Sequence, residues 1–240
     1  MRNPTSGASA ACVEPKMPSD VLKKVNAKEF DAMRYTSEAE ATDAKLKDKP
    51  TPNFGTEWRT FFLPPPPKNS SEEVKSEIVE MRELHNGLTQ AHVWRVQYED
   101  RPDVEEVFLD YLKRAGFKVS RNVEKEVAAL SEQLATIGWH FKDRFGRIRP
   151  NEWLEEMNRT FRFPKSFTAN SPAYPSNHAL IGAFLAEWLA RKYPRAREPL
   201  EVIGKQLGWN RVMAGWHYPS DYGMARMLAN ELWKHYREVE

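Results

Sequence analysis

Apolar residues recur along this chain at steps of three and four, and no stretch alternates at step two for the length of a strand, so the pattern predicts helices throughout. Ser70-Ser71-Glu72-Glu73 is a helix start, and Val74, Ile78, Met81, Leu84 and Leu88 carry its buried stripe. A second helix is predicted from Pro102 to about Lys113 on Val104, Val107, Phe108 and Tyr111, with Gly116 as its stop. A third runs from Ser120 or Asn122 through Val123, Val127, Leu130, Leu134 and Ile137 to about Phe141. From Gly146 to Tyr174 the period is broken by Pro150, Pro164 and Pro172, leaving an irregular stretch with one short helix over residues 151–159. Long irregular segments inside compact domains are often functional, so this one is expected to lie over a site. Beyond it, Leu180, Ile181, Phe184, Leu185, Trp188 and Leu189 define a helix from about Ser176 to residue 193, and Pro199 and Pro219 or Ser220 open two more.

Residues 1–67 read differently. They are rich in Ala, Ser, Thr, Pro, Lys and Asp, poor in large aliphatics, and end in Pro64-Pro65-Pro66-Pro67. Such a segment buries little surface by itself, which predicts an extended, partly disordered arm wrapped on a helical catalytic domain spanning 68–240. Phe54, Trp58, Phe61, Phe62 and Leu63 are its expected anchors. The fold class is all-α.

Composition narrows the function. A net charge of +2 over 240 residues does not suggest a nucleic-acid partner, so anion recognition should be local. The single cysteine, Cys12, excludes an intrachain disulfide and a cysteine-cluster metal site. No apolar run approaches the roughly 18 to 20 residues that span a bilayer, and Met1 to Asp20 lacks an apolar export core. The expectation is a soluble, cytoplasmic protein with no membrane span and no evident signal peptide, and a homo-oligomer is the default for a helical enzyme of this size.

Three clusters carry chemistry. In Lys142-Asp-Arg-Phe-Gly-Arg-Ile-Arg149-Pro150, a lysine and an arginine seven residues apart at a helix end would converge on one anion if the helix ends near Gly146. In Tyr174-Pro175-Ser176-Asn177-His178, a helix N-terminus offers unpaired backbone N–H groups and the Ser176 hydroxyl to an oxyanion, with His178 beside it. In Arg211-Val-Met-Ala-Gly-Trp-His217-Tyr-Pro-Ser-Asp221, the carboxylate of Asp221 would accept the imidazole N–H of His217 and free the other ring nitrogen for attack. Each cluster has a plain structural reading too: a solvated basic helix end, an N-cap serine, an acidic first turn. Together they supply what phosphoryl transfer through a covalent histidine needs, without a metal.

In order and spacing, Lys142-x6-Arg149-Pro150, Pro175-Ser176-Asn177-His178 and Arg211-x5-His217-x3-Asp221 resemble the three signature motifs of the type 2 phosphatidic acid phosphatase superfamily. That superfamily includes the bacterial class A acid phosphatases, membrane lipid phosphatases and vanadium-dependent haloperoxidases. The resemblance implies an all-α bundle and a phosphate site made by Lys142, Arg149, Ser176, the backbone N–H of Asn177 and Arg211. It implies His217 as nucleophile, Asp221 as its orienting carboxylate, and His178 as acid toward the leaving alcohol and base toward water. Two positions depart from the pattern: Asn177 where the family usually has Gly, and Asn210 where it usually has Ser. The bulk of Asn177 is expected to narrow the site or reshape access for the leaving group.

The resulting expectation is a metal-independent phosphatase acting on a phosphorylated small molecule or a lipid or isoprenyl phosphate, with no cofactor. Two alternatives use the same residues: a haloperoxidase holding vanadate on His217, against which the short chain counts, and a non-catalytic anion-binding helical module. Trp139, Phe141, Trp153, Trp209, Trp216 and Tyr218 flank the motifs and are the candidate apolar wall of the pocket. His85, His92, His140 and His235 receive no role.

Overall fold

The structure, a computed structural model, describes residues 26–35, 49–156 and 166–238. Helices account for its regular structure, and there is no strand among the described residues. In chain order they are α1 (Ala27–Ala32), α2 (Glu72–Asn86), α3 (Gln90–Glu99), α4 (Glu106–Arg114), α5 (Arg121–Phe145), α6 (Pro150–Glu156), α7 (Asn177–Lys192), α8 (Arg197–Met213) and α9 (Pro219–His235), with 3-10 turns at Glu57–Thr60 and Pro194–Ala196.

The predicted caps hold their helices. Ser71 Oγ accepts from Val74 N–H at 3.3 Å to start α2, and Ser120 Oγ accepts from Val123 N–H at 3.3 Å to start α5. α5 runs to Phe145, one turn past the expected end, and stops where Gly146 takes the left-handed conformation at φ 55°. α4 begins at Glu106, four residues later than expected from Pro102. α3 was not predicted, because Val96 is its one buried apolar residue and no stripe marks it in sequence. Its start is fixed instead by Thr89 and His92, whose side chains each bond the other's backbone N–H. The short helix expected over 151–159 is α6; residues 157–159 lie outside the described residues.

α7 is the centre. Buried side chains occur all around it, and it packs on α5, α8 and α9. α7 and α8 cross in opposite directions at small residues. A Cβ on Gly182 would stand 2.7 Å from the Gly204 carbonyl oxygen, and one on Gly208 would stand 2.5 Å from Ala179 Cβ. Backbones that touch at 182/204 and 179/208 place the start of α7 beside the end of α8, which brings His178 and Arg211 to the same end of the bundle.

The 1–67 segment is more integrated than an arm where it is described. Residues 27–32 are helical, and Phe54, Trp58 and Leu63 are buried in the main core, Phe54 edge-on to Phe184 with centroids 5.2 Å apart. Phe61 packs partly against that core, but Phe62 is 81% exposed and anchors nothing. The polyproline run is tied down by Tyr174, whose hydroxyl donates to Pro64 O at 2.7 Å. Residues 1–25 and 36–48, where the rest of the expected arm falls, lie outside the described residues.

Candidate active site

The reversal at Gly146 does what the spacing of Lys142 and Arg149 required. With α5 ended, both cations line one cavity of about 620 Å³ together with Asn177, His178, Arg211 and His217. Ser176 and Asp221, each fully buried, stand behind its wall. The three motifs, 80 residues from first to last, thus meet at one place.

The segment 166–173, expected to cover the site, does something more specific and holds all three cations. Lys142 Nζ donates to Pro172 O. Arg149 donates from Nε to Ser171 O at 2.6 Å and from Nη2 to Ser171 Oγ at 3.1 Å. Arg211 donates from Nη2 to Thr168 Oγ1 at 2.9 Å and to Ser166 Oγ at 3.3 Å. Neutral oxygens orient the Arg149 guanidinium without cancelling its charge, so the cavity keeps a positive end at Lys142 and Arg149. Burial lowers the pKa of Arg149, and it lowers that of Arg211 to about 10, which leaves Arg211 charged at neutral pH. Arg211 also lies over the Trp216 ring at 4.1 Å, and its Nε is buried with no partner, a donor still to be satisfied.

Arg211 has one anionic partner that sequence reasoning missed. Asp100, at the end of α3, accepts from Arg211 Nη1 at 2.8 Å and from Phe167 N–H at 2.6 Å and Thr168 Oγ1 at 2.5 Å. Burial would raise this carboxyl, but Arg211 and these hydrogen bonds outweigh it and the pKa falls below the ordinary value. Its neighbour Glu99 accepts from Asn210 Nδ2 at 2.6 Å, so Asn210 braces α8 against α3. No motif flags these two acids in the sequence, because the site residues that they hold, Arg211 and Asn210, each lie 111 positions away.

His217 is held in one tautomer. Nδ1 faces Asp221 Oδ2 at 3.3 Å, and Nε2 faces Arg149 Nη1 at 3.3 Å. A carboxylate can only accept and a guanidinium can only donate, so the proton is on Nδ1 and the lone pair is on Nε2. Burial first, then Arg149 and Lys142, hold this imidazole well below its ordinary 6.5 against the opposing pull of Asp221. The ring is therefore neutral, with its lone-pair nitrogen facing Arg149.

Asp221 serves a second group, also missed in sequence. Arg147 Nη1 donates to Asp221 Oδ1 at 2.5 Å and to Ser220 Oγ at 2.8 Å, its Nη2 reaches Glu77 Oε2 at 3.3 Å, and its guanidinium lies over the Tyr218 ring at 3.8 Å. Burial opposes ionisation of Asp221, but Arg147, His217 and the Tyr218 N–H bond at 2.9 Å win, and its pKa drops to about 2. The alternation Arg147-Ile148-Arg149 was the available signal. Outside a helix, residues two apart leave the backbone on one side, and here one guanidinium holds the carboxylate and the next the imidazole of the same pair.

His178 is held differently. Its Nε2 lies 3.2 Å from Glu99 O, a carbonyl that can only accept, so Nε2 carries the proton and Nδ1 the lone pair. Burial, then Arg211 and His217, hold it well below 6.5. Ser176 caps α7, its Oγ accepting from Ala179 N–H at 3.4 Å, which leaves the hydroxyl proton unused by that bond. Asn177 does not block the cavity by its bulk alone: its Oδ1 lies where a Cβ on Gly138 of α5 would come within 2.0 Å, so the side chain occupies the notch that this glycine leaves.

Of the aromatic residues expected to wall the pocket, only Trp139 lines it. Phe141, Trp153 and Tyr218 are core, Trp216 packs beneath Arg211, and Trp209 sits edge-on to Tyr222. Phe167, 82% exposed, was not foreseen as a lining residue.

Residues 127–231, which contain every motif position, match the model of the PAP2 superfamily. The chain is 23% identical over 145 residues to a non-specific acid phosphatase of Providencia stuartii, covering 60% of this chain and 51% of that protein. It is 25% identical over 174 residues to a non-specific acid phosphatase of Salmonella typhimurium, covering 70% of this chain and 69% of the other. It is also 30% identical over 130 residues to a lipid A 1-phosphatase of Rhizobium etli, covering 48% and 54%. The chain thus spans about half the length of the first and third of these relatives.

Proposed function

We propose that this chain is a member of the PAP2 superfamily and hydrolyses phosphate monoesters through a phosphohistidine on His217, with no metal in the reaction. The observation that carries the reading is the His217 tautomer, set by Asp221 on one side and Arg149 on the other, with His217 lining the cavity that Lys142, Arg149 and Arg211 also line. Phosphate oxygens would bind those three side chains, the Ser176 hydroxyl and the Asn177 N–H at the start of α7, so that charge is spread as a divalent ion would spread it.

In the first step Nε2 forms a bond to phosphorus while the bond from phosphorus to the leaving oxygen breaks, and His178 gives that oxygen its proton. In the second, water attacks phosphorus, the P–N bond breaks, and His178 takes the water's proton. Burial and the charge of Arg211 hold His178 neutral. A bound phosphate anion offsets that charge and raises the His178 pKa, so substrate itself prepares the acid.

Two of the relatives are named for acid phosphatase activity, which supports a phosphate ester as substrate. A location in the cytoplasm also belongs to this reading; among the described residues no helix is long and apolar enough to cross a membrane. The test is phosphate release from p-nitrophenyl phosphate with and without chelator, followed by an acid quench and an alkaline quench of labelled enzyme. Turnover in chelator and a label stable to alkali but labile to acid are expected, both absent in His217→Ala. Loss of turnover in chelator would overturn the metal-free mechanism, and a label that survives in His217→Ala would overturn the nucleophile.

A further inference from the structure

The reacting groups occupy one end of the cavity. The other end, which a leaving group must fill, is built from α5 and the segment 101–105. α5 presents Ala128, Ser131, Glu132 and Ala135 there. In its wall stands Glu105, 9% exposed, with Oε2 buried and without a hydrogen-bond partner. The Ser131 hydroxyl stands beside the same carboxyl and draws its pKa down, and both residues line the cavity. The nearest guanidinium in sequence, Arg101, is committed to Asp103 through bonds of 3.0 and 2.7 Å.

A buried carboxyl oxygen that lacks a donor is rare in folded proteins and calls for one. The proposed reaction does not use Glu105, and the residue sits on the side of the cavity opposite in character to the cationic end. We infer that Glu105, with Ser131 beside it, recognises leaving groups that carry a hydrogen-bond donor, a hydroxyl or an ammonium, in preference to plain alkyl chains. Trp139 and Ile181 line the same cavity and offer contact to the carbon face of such a group. Burial and the like charges of Asp103 and Glu106 raise the Glu105 pKa against the Ser131 hydroxyl, and a donor from the ligand would relieve that cost in its charged form. A site that hydrogen-bonds a substrate group rejects the analogue lacking it far more strongly than an apolar pocket separates chain lengths.

This inference rests on the phosphatase reading. The experiment compares kcat/KM for glycerol 1-phosphate, phosphoethanolamine and n-butyl phosphate in the wild type, Glu105→Gln and Glu105→Leu. The ratio of a donor-bearing substrate to butyl phosphate is expected to exceed ten in the wild type and to fall at least tenfold in Glu105→Leu, with Glu105→Gln between. The glycerol and ethanolamine arms separate hydroxyl from ammonium recognition. An unchanged ratio, or an equal fall on all three esters, would overturn the inference. If no ester is turned over, the phosphatase reading fails by itself, and calorimetric binding of glycerol 1-phosphate against butyl phosphate decides the subsite: a tenfold preference lost in Glu105→Leu supports it, and equal affinities refute it.

Discussion

The cavity's two histidines sit in neighbourhoods of different construction. His217 precedes α9 and is fixed through side chains, Asp221 on Nδ1 and Arg149 on Nε2. His178 lies in the first turn of α7 and is fixed through a backbone carbonyl, Glu99 O, on Nε2. The partners impose opposite tautomers, so the two rings present different nitrogens. Two imidazoles of equal intrinsic chemistry thereby acquire different roles from what lies behind them, and the charged frame around His217 is the one whose removal should cost more.

The largest effect expected from breaking that contrast is at the Asp221 frame. Asp221→Asn loses the obligate acceptor for His217 Nδ1–H and leaves Arg147 buried beside a neutral amide. Turnover is expected to fall by about 10³- to 10⁴-fold, and breaking a buried ion pair on one side costs about 3–5 kcal/mol of stability. Steady-state kinetics and urea unfolding measure the two. Wild-type stability in the variant would show that Arg147 does not depend on this carboxylate.

His178→Asn should cost about 10²- to 10⁴-fold in kcat, the range for one general acid. Because the nucleophile stays intact, the loss should be smaller for p-nitrophenyl phosphate than for alkyl phosphates, whose leaving oxygen needs the proton. An equal loss on both would remove the acid role from His178.

A pH titration sharpens the contrast through stability. Both imidazoles have folded pKa values below the unfolded 6.5. Below that pH the unfolded chain binds protons that the folded chain refuses, so stability is complete above 6.5 and falls as pH drops, by about 1.4 kcal/mol per unit for each histidine. Asp221, with its pKa near 2, adds a loss of the same sign as pH falls through the unfolded 3.8. Thermal melts from pH 7.5 to 5 should show falling midpoints, and bound phosphate should restore part of the loss. A midpoint flat over this range would contradict neutral buried rings.

The smallest expected effect lies beside His178. In an open helix, Gly→Ala gains about 1 kcal/mol, but in Gly138→Ala the new methyl would meet Asn177 Oδ1 at 2.0 Å and push the start of α7. The expected result is a stability change near zero or negative, with kcat/KM down about tenfold, a displacement of about 1 Å being costly near a reacting centre. Adding Asn177→Gly should restore activity, and failure to do so would separate the notch from the site.

Much of the fold was legible in the chain. The caps at Ser71, Ser120 and Ser176 and the stripes behind them were readable because helix starts are local, decided within four residues. α3 was not, since a helix with one buried apolar residue leaves no period to read. Phe62 failed as an anchor beside Trp58 because neighbouring side chains in a non-helical stretch leave in different directions, and only packing shows which is inward.

The sequence alone determined which groups would meet: the spacing within each motif, the glycine able to end α5, and the pairing of His217 with Asp221 four residues on are short-range matters of backbone geometry. The tertiary structure decided how each group is held. Asp100 on Arg211, Arg147 on Asp221, Ser171 on Arg149 and Glu99 on His178 join residues 22 to 111 positions apart. Partners that distant leave no periodic trace in a chain, and in a buried site they alone settle tautomer and charge.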